Sequence, residues 1–242
     1  MKWPRRVNYS LKTLVLQEPA LSPLYNVYYW LDEITWQGVL IHPKEKAIGK
    51  DTELVIDGFQ GSANTFAFKS FNRSQTRPVK VGHHTHAPAQ IIKAIKLGIP
   101  VWLIIREPAG AVVSLSARWP YISVTQSLLS YIGFYTKLKP YASDCVISTF
   151  KQHTQHIDRV VQTVNARFGT QFDEIDLAKA QAEHEAFTTQ RDRNNPEEAA
   201  SLKVSKQERI KELATPKNSK LLVQANALYK TFEELAGKTV QL

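Results

Sequence analysis

The sequence predicts an α/β domain of three layers, in which a mainly parallel sheet lies between two layers of helices. Short apolar runs alternate along the chain with segments whose apolar residues recur at helical spacing. One run, residues 99–105, is apolar throughout, as expected of a strand that is buried on both faces of a parallel sheet. Alternating strands and helices are typical of this architecture.

The apolar runs and helical patterns place the elements along the chain. Strands are predicted at residues 53–57, 78–82, 99–105 and 144–150, and helices at residues 62–74, 88–97, 108–118, 124–138, 151–168 and 219–236. Gly98 and Gly169 follow two of these patterns directly, where glycine commonly ends a helix. The polar, turn-rich stretch 190–196 predicts a loop. No repeat or long linker divides the chain, so a single domain is predicted over residues 1–242.

The composition narrows the class of protein. With 43% hydrophobic and 22% charged residues, the chain resembles a globular protein and not a disordered segment. Cys145 is the single cysteine, which excludes an internal disulfide and favours a reducing compartment. No apolar stretch approaches the roughly 18 residues of a membrane span, and the N-terminus lacks the pattern of a secretory signal. We therefore expect a cytoplasmic protein with no membrane partner.

Positive charge is concentrated in the middle of the chain. The net charge is +9, and residues 61–120 hold eight Lys and Arg residues against Glu107 alone. This excess favours a polyanionic partner, either an acidic small ligand or a nucleic acid, although a solvated basic face gives the same count. The chain lacks the aromatic and basic stacking signatures of nucleic-acid binding, so an acidic small ligand is the preferred interpretation.

The segment after the first predicted strand favours an anion site. A Gly-containing turn there leads into a helix, through Gly58, Gly61, Ser62, Ala63, Asn64 and Thr65. Backbone N–H groups and the positive end of a helix bind anions in this geometry, and Ser62 and Thr65 add hydroxyl donors. The alternative is a tight turn in which Ser62 is only the helix N-cap. No Lys precedes a Ser or Thr here, which argues against magnesium-dependent ATP hydrolysis.

Arg106 and Ser114 form a second candidate. Arg106 follows the run 99–105, and Ser114 lies eight residues later, two turns into the next predicted helix. A guanidinium and a hydroxyl in these positions can both reach one phosphate that lies across the helix start. The alternative is that Arg106 pairs with Glu107 and that Ser114 has no role.

Three histidines, His83, His84 and His86, follow the second predicted strand. Neither cysteines nor a second histidine cluster accompany them at the spacing of a zinc site, so no metal is expected. One histidine in this place is better suited to act as a general base near neutral pH. Surface histidines without a role are the alternative.

Together these segments resemble the sulfotransferase family, α/β enzymes with a fold similar to that of P-loop nucleoside triphosphate hydrolases. The family's 5′-phosphosulfate loop, G-F-P-[RK]-S-G-[NT]-T, is similar to residues 58–65, Gly-Phe-Gln-Gly-Ser-Ala-Asn-Thr. Its 3′-phosphate element, R-x-P with a Ser eight residues after the Arg, is similar to Arg106, Pro108 and Ser114. Its K-T-H-x-P motif is similar to residues 84–88, which makes His86 the counterpart of the catalytic base.

The resemblance implies sulfuryl transfer from 3′-phosphoadenosine 5′-phosphosulfate (PAPS) to a hydroxyl or amine of a small molecule or glycan, without a metal. The loop 58–65 would hold the phosphosulfate, and Arg106 with Ser114 would hold the 3′-phosphate. His86 would take the proton of the acceptor. The family's late Gly-rich loop is not evident, so the adenosine end would rest on residues 191–205. The aromatic residues within 25–36 would either line the acceptor pocket or belong to the core.

One departure from the family bears on activity. The basic residue of the loop corresponds to Gly61, and Ala63 replaces a glycine. A donor that stabilises a leaving oxygen is typically worth about 10²–10³ in rate. Either another cation substitutes, or the chain is a degenerate nucleotide-binding protein without efficient transfer. The candidate cations are His84 and Arg193, which are preferred, and Lys69, Arg73 and Arg191.

Overall fold

The computed structural model describes residues 48–240, together with Tyr9, Thr13, Gln17, Glu18 and Ala20. Within this part of the chain, four strands form one parallel sheet. They are β1 (Leu54–Gly58), β2 (Val81–His83), β3 (Val101–Ile105) and β4 (Val146–Thr149). Their order across the sheet is β2-β1-β3-β4, so the chain leaves β1 toward one edge and later crosses to the other.

The central strands are buried on both faces, and their side chains divide between two cores. In β3, the side chains of Val101, Leu103 and Ile105 belong to one core, whereas those of Trp102 and Ile104 belong to the other. Alternate residues of a strand face opposite sides of a sheet, so each core lies between the sheet and one layer of helices. The α/β class with a parallel sheet is therefore confirmed, and the two cores give three layers.

Nine α-helices accompany the sheet in the described part of the chain. They are α1 (Asn64–Ser74), α2 (Pro88–Lys96), α3 (Pro108–Arg118), α4 (Val124–Leu138), α5 (Phe150–Gln155), α6 (Ile157–Phe168), α7 (Leu177–Asn194), α8 (Pro196–Leu213) and α9 (Pro216–Thr239). Helices α2, α3, α4 and α9 pack in one core, and α1 and α6 pack in the other. A 3-10 helix, Lys139–Asp144, links α4 to β4. None of these helices is long and apolar enough to span a membrane.

Local sequence explains several helix boundaries. The side chain of Ser123 accepts a hydrogen bond from the N–H of Gln126 and forms a capping box before α4, and Thr149 does the same with Gln152 before α5. Helix α6 ends at Gly169, which takes the left-handed conformation at φ 66°. Caps of this kind fix where a helix starts or stops without any contribution from the core.

The helix predicted over residues 151–168 is interrupted in the structure. The backbone of His156, at φ −146° and ψ 42°, leaves the helical region and separates α5 from α6. The apolar residues at helical spacing begin at Ile157, after this break, and the polar residues 151–156 give no signal of it, so the sequence predicts one helix.

The prediction of a loop over residues 190–196 is wrong. Helices α7 and α8 occupy this region, and Asn195 alone lies between them. In these two helices, Ala180 and Leu213 are the buried residues and most of the other side chains are intermediate or exposed. Helices with so narrow a buried face give little apolar periodicity, so the polar sequence resembles a loop.

Candidate functional site

The carboxyl ends of β1 and β3 mark the point where the strand order changes direction. The chain after β1 continues into α1, on one face of the sheet, and the chain after β3 continues into α3, on the other face. Connections that diverge in this way leave a crevice in which α/β proteins commonly bind ligands. The segments 58–65 and 106–114, selected from the sequence, are these two connections.

The loop between β1 and α1 is packed closely against both of its neighbours. A side chain at Gly58 would collide with the carbonyl oxygen of Ile104 on β3. Gly61 adopts φ 86°, and a Cβ atom there would lie 2.6 Å from the carbonyl oxygen of Ala111 on α3. Glycine is therefore required at position 61 by both its backbone conformation and its surroundings.

The loop ends at a helix N-terminus that has no side-chain cap. The N-cap residue of α1 is Ala63, in the left-handed region at φ 63°, so the alternative that Ser62 caps this helix is wrong. Ser62 is completely buried, and its Oγ has no hydrogen-bond partner in the described part of the chain. Thr65, in the first turn of α1, is exposed. Helix N–H groups beside the exposed Thr65 hydroxyl form a favourable environment for an anion.

Three carbonyl oxygens of the loop accept hydrogen bonds from side chains. Two of these bonds come from other segments of the chain, and one comes from Asn64 within the loop itself. The pairs are His86 Nδ1 with the Gly58 oxygen (2.8 Å), Asn64 Nδ2 with the Phe59 oxygen (3.0 Å) and Arg106 Nη1 with the Gly61 oxygen (2.9 Å).

Arg106 and Ser114 both lie against Gly61. In addition to the hydrogen bond from Arg106, a Cβ atom at Gly61 would lie 3.3 Å from Cβ of Ser114. The guanidinium of Arg106 stacks 4.3 Å above the ring of Phe150, and its Nε lies 3.3 Å from a carboxylate oxygen of Glu107. The structure thus brings both predicted residues to the loop. The sequence pattern alone does not single out Phe150, although an aromatic residue directly after a strand is an available signal.

Asp57, the fourth residue of β1, is a second site residue that the sequence pattern alone does not single out. It holds residues 84–86, the histidine turn. This carboxylate is completely buried. Its Oδ2 accepts hydrogen bonds from Thr85 N–H (2.8 Å), Thr85 Oγ1 (2.6 Å) and His86 N–H (3.0 Å), and its Oδ1 accepts one from Gly58 N–H (2.8 Å). Burial alone would raise the pKa of Asp57. The hydrogen bond and charge interaction with His86, and the hydrogen bond from Thr85, outweigh it and lower this pKa to about 2.

The turn that Asp57 holds has an unusual backbone. His84 and His86 adopt φ values of 52° and 49°, in the left-handed region that non-glycine residues seldom occupy. Such conformations cost of order 1–3 kcal/mol each and persist where surrounding contacts enforce them. The hydrogen bonds from Thr85 and His86 to Asp57 are contacts of this kind. They place both imidazole rings at the mouth of the loop, the side on which His84 contacts Thr65 and His86 contacts Gly58.

His86 has the hydrogen-bonding pattern of a general base. Its Nδ1 lies 2.8 Å from the carbonyl oxygen of Gly58 and 3.3 Å from Oδ1 of Asp57. Both oxygens are acceptors, so Nδ1 carries the hydrogen, and in the neutral ring Nε2 then keeps a lone pair. The side chain is 17% exposed. A proton can therefore be accepted at Nε2 without breaking the contacts that orient the ring.

A small cleft adjoins His86. Its walls combine phenyl rings with hydroxyl and amide groups, and none of the other described residues that line it carries a formal charge at neutral pH. These residues are Tyr9, Thr13, Gln17, Phe59, Gln60, Ser130 and Phe134. Such a lining suits a neutral molecule that has both an apolar surface and hydrogen-bonding groups.

His84 connects the histidine turn to α1. Its Nε2 lies 3.0 Å from Oγ1 of Thr65, and its Nδ1 lies 2.7 Å from Nδ1 of His83. The ring also makes edge contacts with Phe68 and His86, at centroid distances of 5.9 and 5.7 Å. Among the candidate cations, His84 is the one that a described side-chain hydrogen bond joins to residues 58–65.

The other candidate cations have different neighbours. The ammonium group of Lys69 lies 3.7 Å above the ring of Phe187. Arg73 pairs with Glu183 on α7 at 2.8 Å. Arg193, predicted to lie in a loop, is exposed in the last turn of α7, and Arg191 in the same turn pairs with Asp192 at 2.7 Å.

Comparison of the chain with protein-family models, with curated proteins and with solved structures finds no match. Within the described residues, no group of three or more His, Cys, Asp and Glu side chains is placed to hold a metal ion. The aromatic residues at 25–36 lie outside the described part of the chain. Function must therefore be inferred from the chemistry of the site itself.

Proposed function

We propose that the chain is a PAPS-dependent sulfotransferase with a P-loop-like fold, which moves a sulfuryl group to a hydroxyl or amine. One observation carries this proposal: the ring of His86 is hydrogen-bonded to the carbonyl oxygen of Gly58, at the start of the anion-binding loop. A base and an anion site are thereby held in a fixed relation, which is what an in-line group transfer requires.

Different residues of the site would have different roles in the transfer. PAPS supplies a sulfuryl group whose leaving oxygen belongs to the 5′-phosphate. Backbone N–H groups of residues 61–65, with the hydroxyl of the exposed Thr65, would hold that phosphate and stabilise the charge that grows on its oxygen. His86 Nε2 would take the acceptor's proton as the new sulfur–oxygen or sulfur–nitrogen bond forms and the bond from sulfur to the phosphate oxygen breaks.

Arg106 and Ser114 are suited to the 3′-phosphate, the group that distinguishes PAPS from ATP. A guanidinium has five N–H donors, and Gly61 and Glu107 engage two of those of Arg106 in the described contacts. The Phe150 ring beneath it fixes the plane of the guanidinium. A phosphate that bridges Arg106 and Ser114 would therefore meet donors that are already oriented.

The acceptor is expected to be a neutral small molecule or glycan. The cleft beside His86 has phenyl walls in Phe59 and Phe134, and Ser130 is among its polar residues. The hydroxyl of Tyr9 donates to Oγ of Ser130 at 3.2 Å. Burial raises the pKa of Tyr9, so this phenol stays neutral near pH 7 and presents no charge to the acceptor.

Calorimetric titration with adenosine 3′,5′-bisphosphate (PAP), the spent donor, tests the nucleotide site, with ADP as the control ligand. We expect PAP to bind at micromolar strength or better and ADP to bind far more weakly. Arg106→Ala should lower the affinity for PAP by about tenfold or more, since a hydrogen bond to a charged group is worth roughly 1.5–3 kcal/mol. Arg77→Ala, which removes an exposed arginine paired with Glu53, is the matched control. Equal losses in the two variants would contradict a specific site.

Transfer itself is tested by release of PAP from PAPS in the presence of phenol, sugar and amine acceptors. His86→Asn should lower the rate by about 10²–10⁴ while PAP still binds. His156→Asn, at the break between α5 and α6, is the matched histidine control and should keep full activity. An active His86→Asn protein would remove His86 from the mechanism.

A degenerate nucleotide-binding protein of the same fold is the second candidate, because the structure closes position 61 to any side chain. It would bind PAP in an Arg106-dependent manner and show no transfer with any acceptor. Restoring a basic residue at position 61 would not create activity, since the loop cannot accommodate it beside Ala111.

A further inference from the structure

The loop has no basic side chain of its own, and the structure shows why one cannot be placed at position 61. Residues 58–65 contain neither Lys nor Arg. Gly61 has φ 86° and faces a backbone oxygen of α3 at 2.6 Å from where a Cβ atom would be. Positive charge at the mouth of the loop must therefore come from another segment of the chain.

His83 and His84 form a pair that can hold such a charge. Their Nδ1 atoms are 2.7 Å apart, a distance at which one proton lies between the two rings, donated by one and accepted by the other. The neutral pair carries two protons, one of which is this shared proton. A third proton gives the pair a single positive charge, and a fourth would place two N–H groups face to face, so the pair accepts one additional proton.

Addition of that proton has a defined effect on Thr65. With three protons on four nitrogens and one of them shared, both Nε2 atoms carry hydrogen. His84 Nε2 must then donate to Oγ1 of Thr65, 3.0 Å away. The hydroxyl hydrogen of Thr65 is consequently directed away from His84, and exposed Thr65 at the start of α1 becomes a donor for an anion.

We propose that His83 and His84 act as one proton-accepting pair that charges the mouth of the loop when an anion binds, in place of the basic side chain that Gly61 excludes. This inference rests on the proposed function of the site and specifies how it is regulated. Binding of the 5′-phosphate is linked to uptake of one proton, and His84 is a positioning residue that acts through Thr65.

The surroundings favour a single positive charge on the pair. The titratable groups that face His84 include His83, His86 and Asp57, and α1 faces it with Thr65 and Phe68, which do not titrate near neutral pH. The ionised Asp57 attracts a proton to the pair. Phe68 stacks on His83, with ring centroids 3.5 Å apart, and accepts a cationic ring on its face.

The sign of the pH dependence follows from this linkage. An anion raises the proton affinity of the pair, so binding is strongest below the pKa of the unliganded pair and weakens as the pH rises above it. For one linked proton, the dissociation constant rises by up to about tenfold for each pH unit in that range.

The experiment is calorimetric titration with PAP in buffers of different ionisation enthalpy, which yields the number of protons taken up, from about pH 6.5 to about 8.5, the range in which imidazole charge changes. Wild-type protein should take up as much as one proton more than His84→Asn. His84→Lys, whose charge is permanent over this range, should bind PAP without that additional uptake. His83→Asn, which removes the partner nitrogen, should also lower it.

Two controls separate the pair from other sources of protons. The ionisation of free PAP is the same in every titration, so the difference between variants reports the complex. Adenosine 3′-monophosphate lacks the 5′ anion, and its binding should show no difference between wild type and His84→Asn. Asparagine tolerates positive φ better than most residues, so His84→Asn preserves the turn, which circular dichroism would verify.

The outcomes distinguish this inference from the function on which it rests. Equal proton uptake by wild type and His84→Asn, with Arg106-dependent PAP binding intact, would overturn the role of the pair and leave the proposed function standing. Absence of PAP binding in the wild type would overturn both.

Discussion

Asp57→Asn keeps the size of the side chain at the end of β1 and removes its charge. The carboxylate accepts four hydrogen bonds in a completely buried position, three of them on Oδ2. An asparagine would keep its oxygen in the Oδ2 position, because three donors converge there. Its amide nitrogen would then face the N–H of Gly58, and two donors would oppose each other without solvent.

The expected loss of unfolding free energy in Asp57→Asn has two contributions. The pKa of Asp57 is about 2 in the folded chain, compared with 3.8 for the free side chain. At 1.36 kcal/mol for each pH unit, this difference corresponds to about 2 kcal/mol of unfolding free energy at pH 7. The unpaired donor adds about 1–3 kcal/mol. We expect a total loss of about 3–5 kcal/mol, a large part of the 5–15 kcal/mol that usually stabilises a domain.

Urea unfolding at several pH values is the assay. Because the pKa is lowered on folding, the charge-dependent part is fully present above pH 4 and is lost as the pH falls toward 2; by about pH 3 roughly half of it remains. The difference between wild type and Asp57→Asn should therefore shrink between pH 7 and pH 3. Asp144→Asn, at an exposed position, is the control and should change little. A difference below about 1 kcal/mol at pH 7, or one that does not change with pH, would refute this account of the turn.

Three further predictions concern the packing around the site. Gly61→Ala forces a side chain into left-handed backbone and against a carbonyl oxygen of α3, so we expect a loss of about 1–3 kcal/mol, measured by thermal unfolding. Gly237→Ala, with nothing within 4 Å, should be neutral or stabilising, and equal effects of the two substitutions would contradict the steric argument. Trp102→Phe removes the buried indole donor that lies 2.7 Å from Oγ of Ser148 and should cost about 1–3 kcal/mol in urea unfolding; an unchanged midpoint would show that this hydrogen bond is dispensable. Burial raises the pKa of Cys145 to about 12, so its thiol should resist alkylation at pH 8 until the protein is denatured; rapid labelling of the native protein would show that the site opens.

The elements of the central sheet are predictable because their sequences carry a strong pattern. Strand β3 is buried on both faces, which requires a continuous apolar run. Helix α3 has the predicted bounds, since Pro108 suits the first turn of a helix. Helices α7 and α8 are less predictable, because most of their length contacts little of the core. Their boundaries depend on capping and on contacts that the sequence does not reveal.

The site residues also differ in how well the sequence predicts them. Gly58 ends β1, Arg106 directly follows β3, and His86 lies three residues after β2. The carboxyl ends of parallel strands meet at one edge of the sheet, so the sequence identifies these residues. Asp57 is missed because its function depends on donors 28 and 29 residues later in the chain. A carboxylate in an otherwise apolar strand is the signal that indicates it, since such a group is seldom buried without partners. The role of Phe150 likewise depends on a distant residue, because its ring contacts Arg106 in the connection after β3.

The hydrogen bonds to the loop carbonyls set the polarity of the loop before any ligand arrives. In a trans peptide the N–H points opposite to the carbonyl, so a side chain that fixes one fixes the direction of the other. A loop with free carbonyls can rotate a peptide plane and offer oxygen instead of N–H, and then it would attract cations. Here the donors of His86, Asn64 and Arg106 oppose such a rotation at three carbonyl groups. Discrimination between anions and cations is thus a property of the main chain, and little reorganisation energy is spent when the ligand binds.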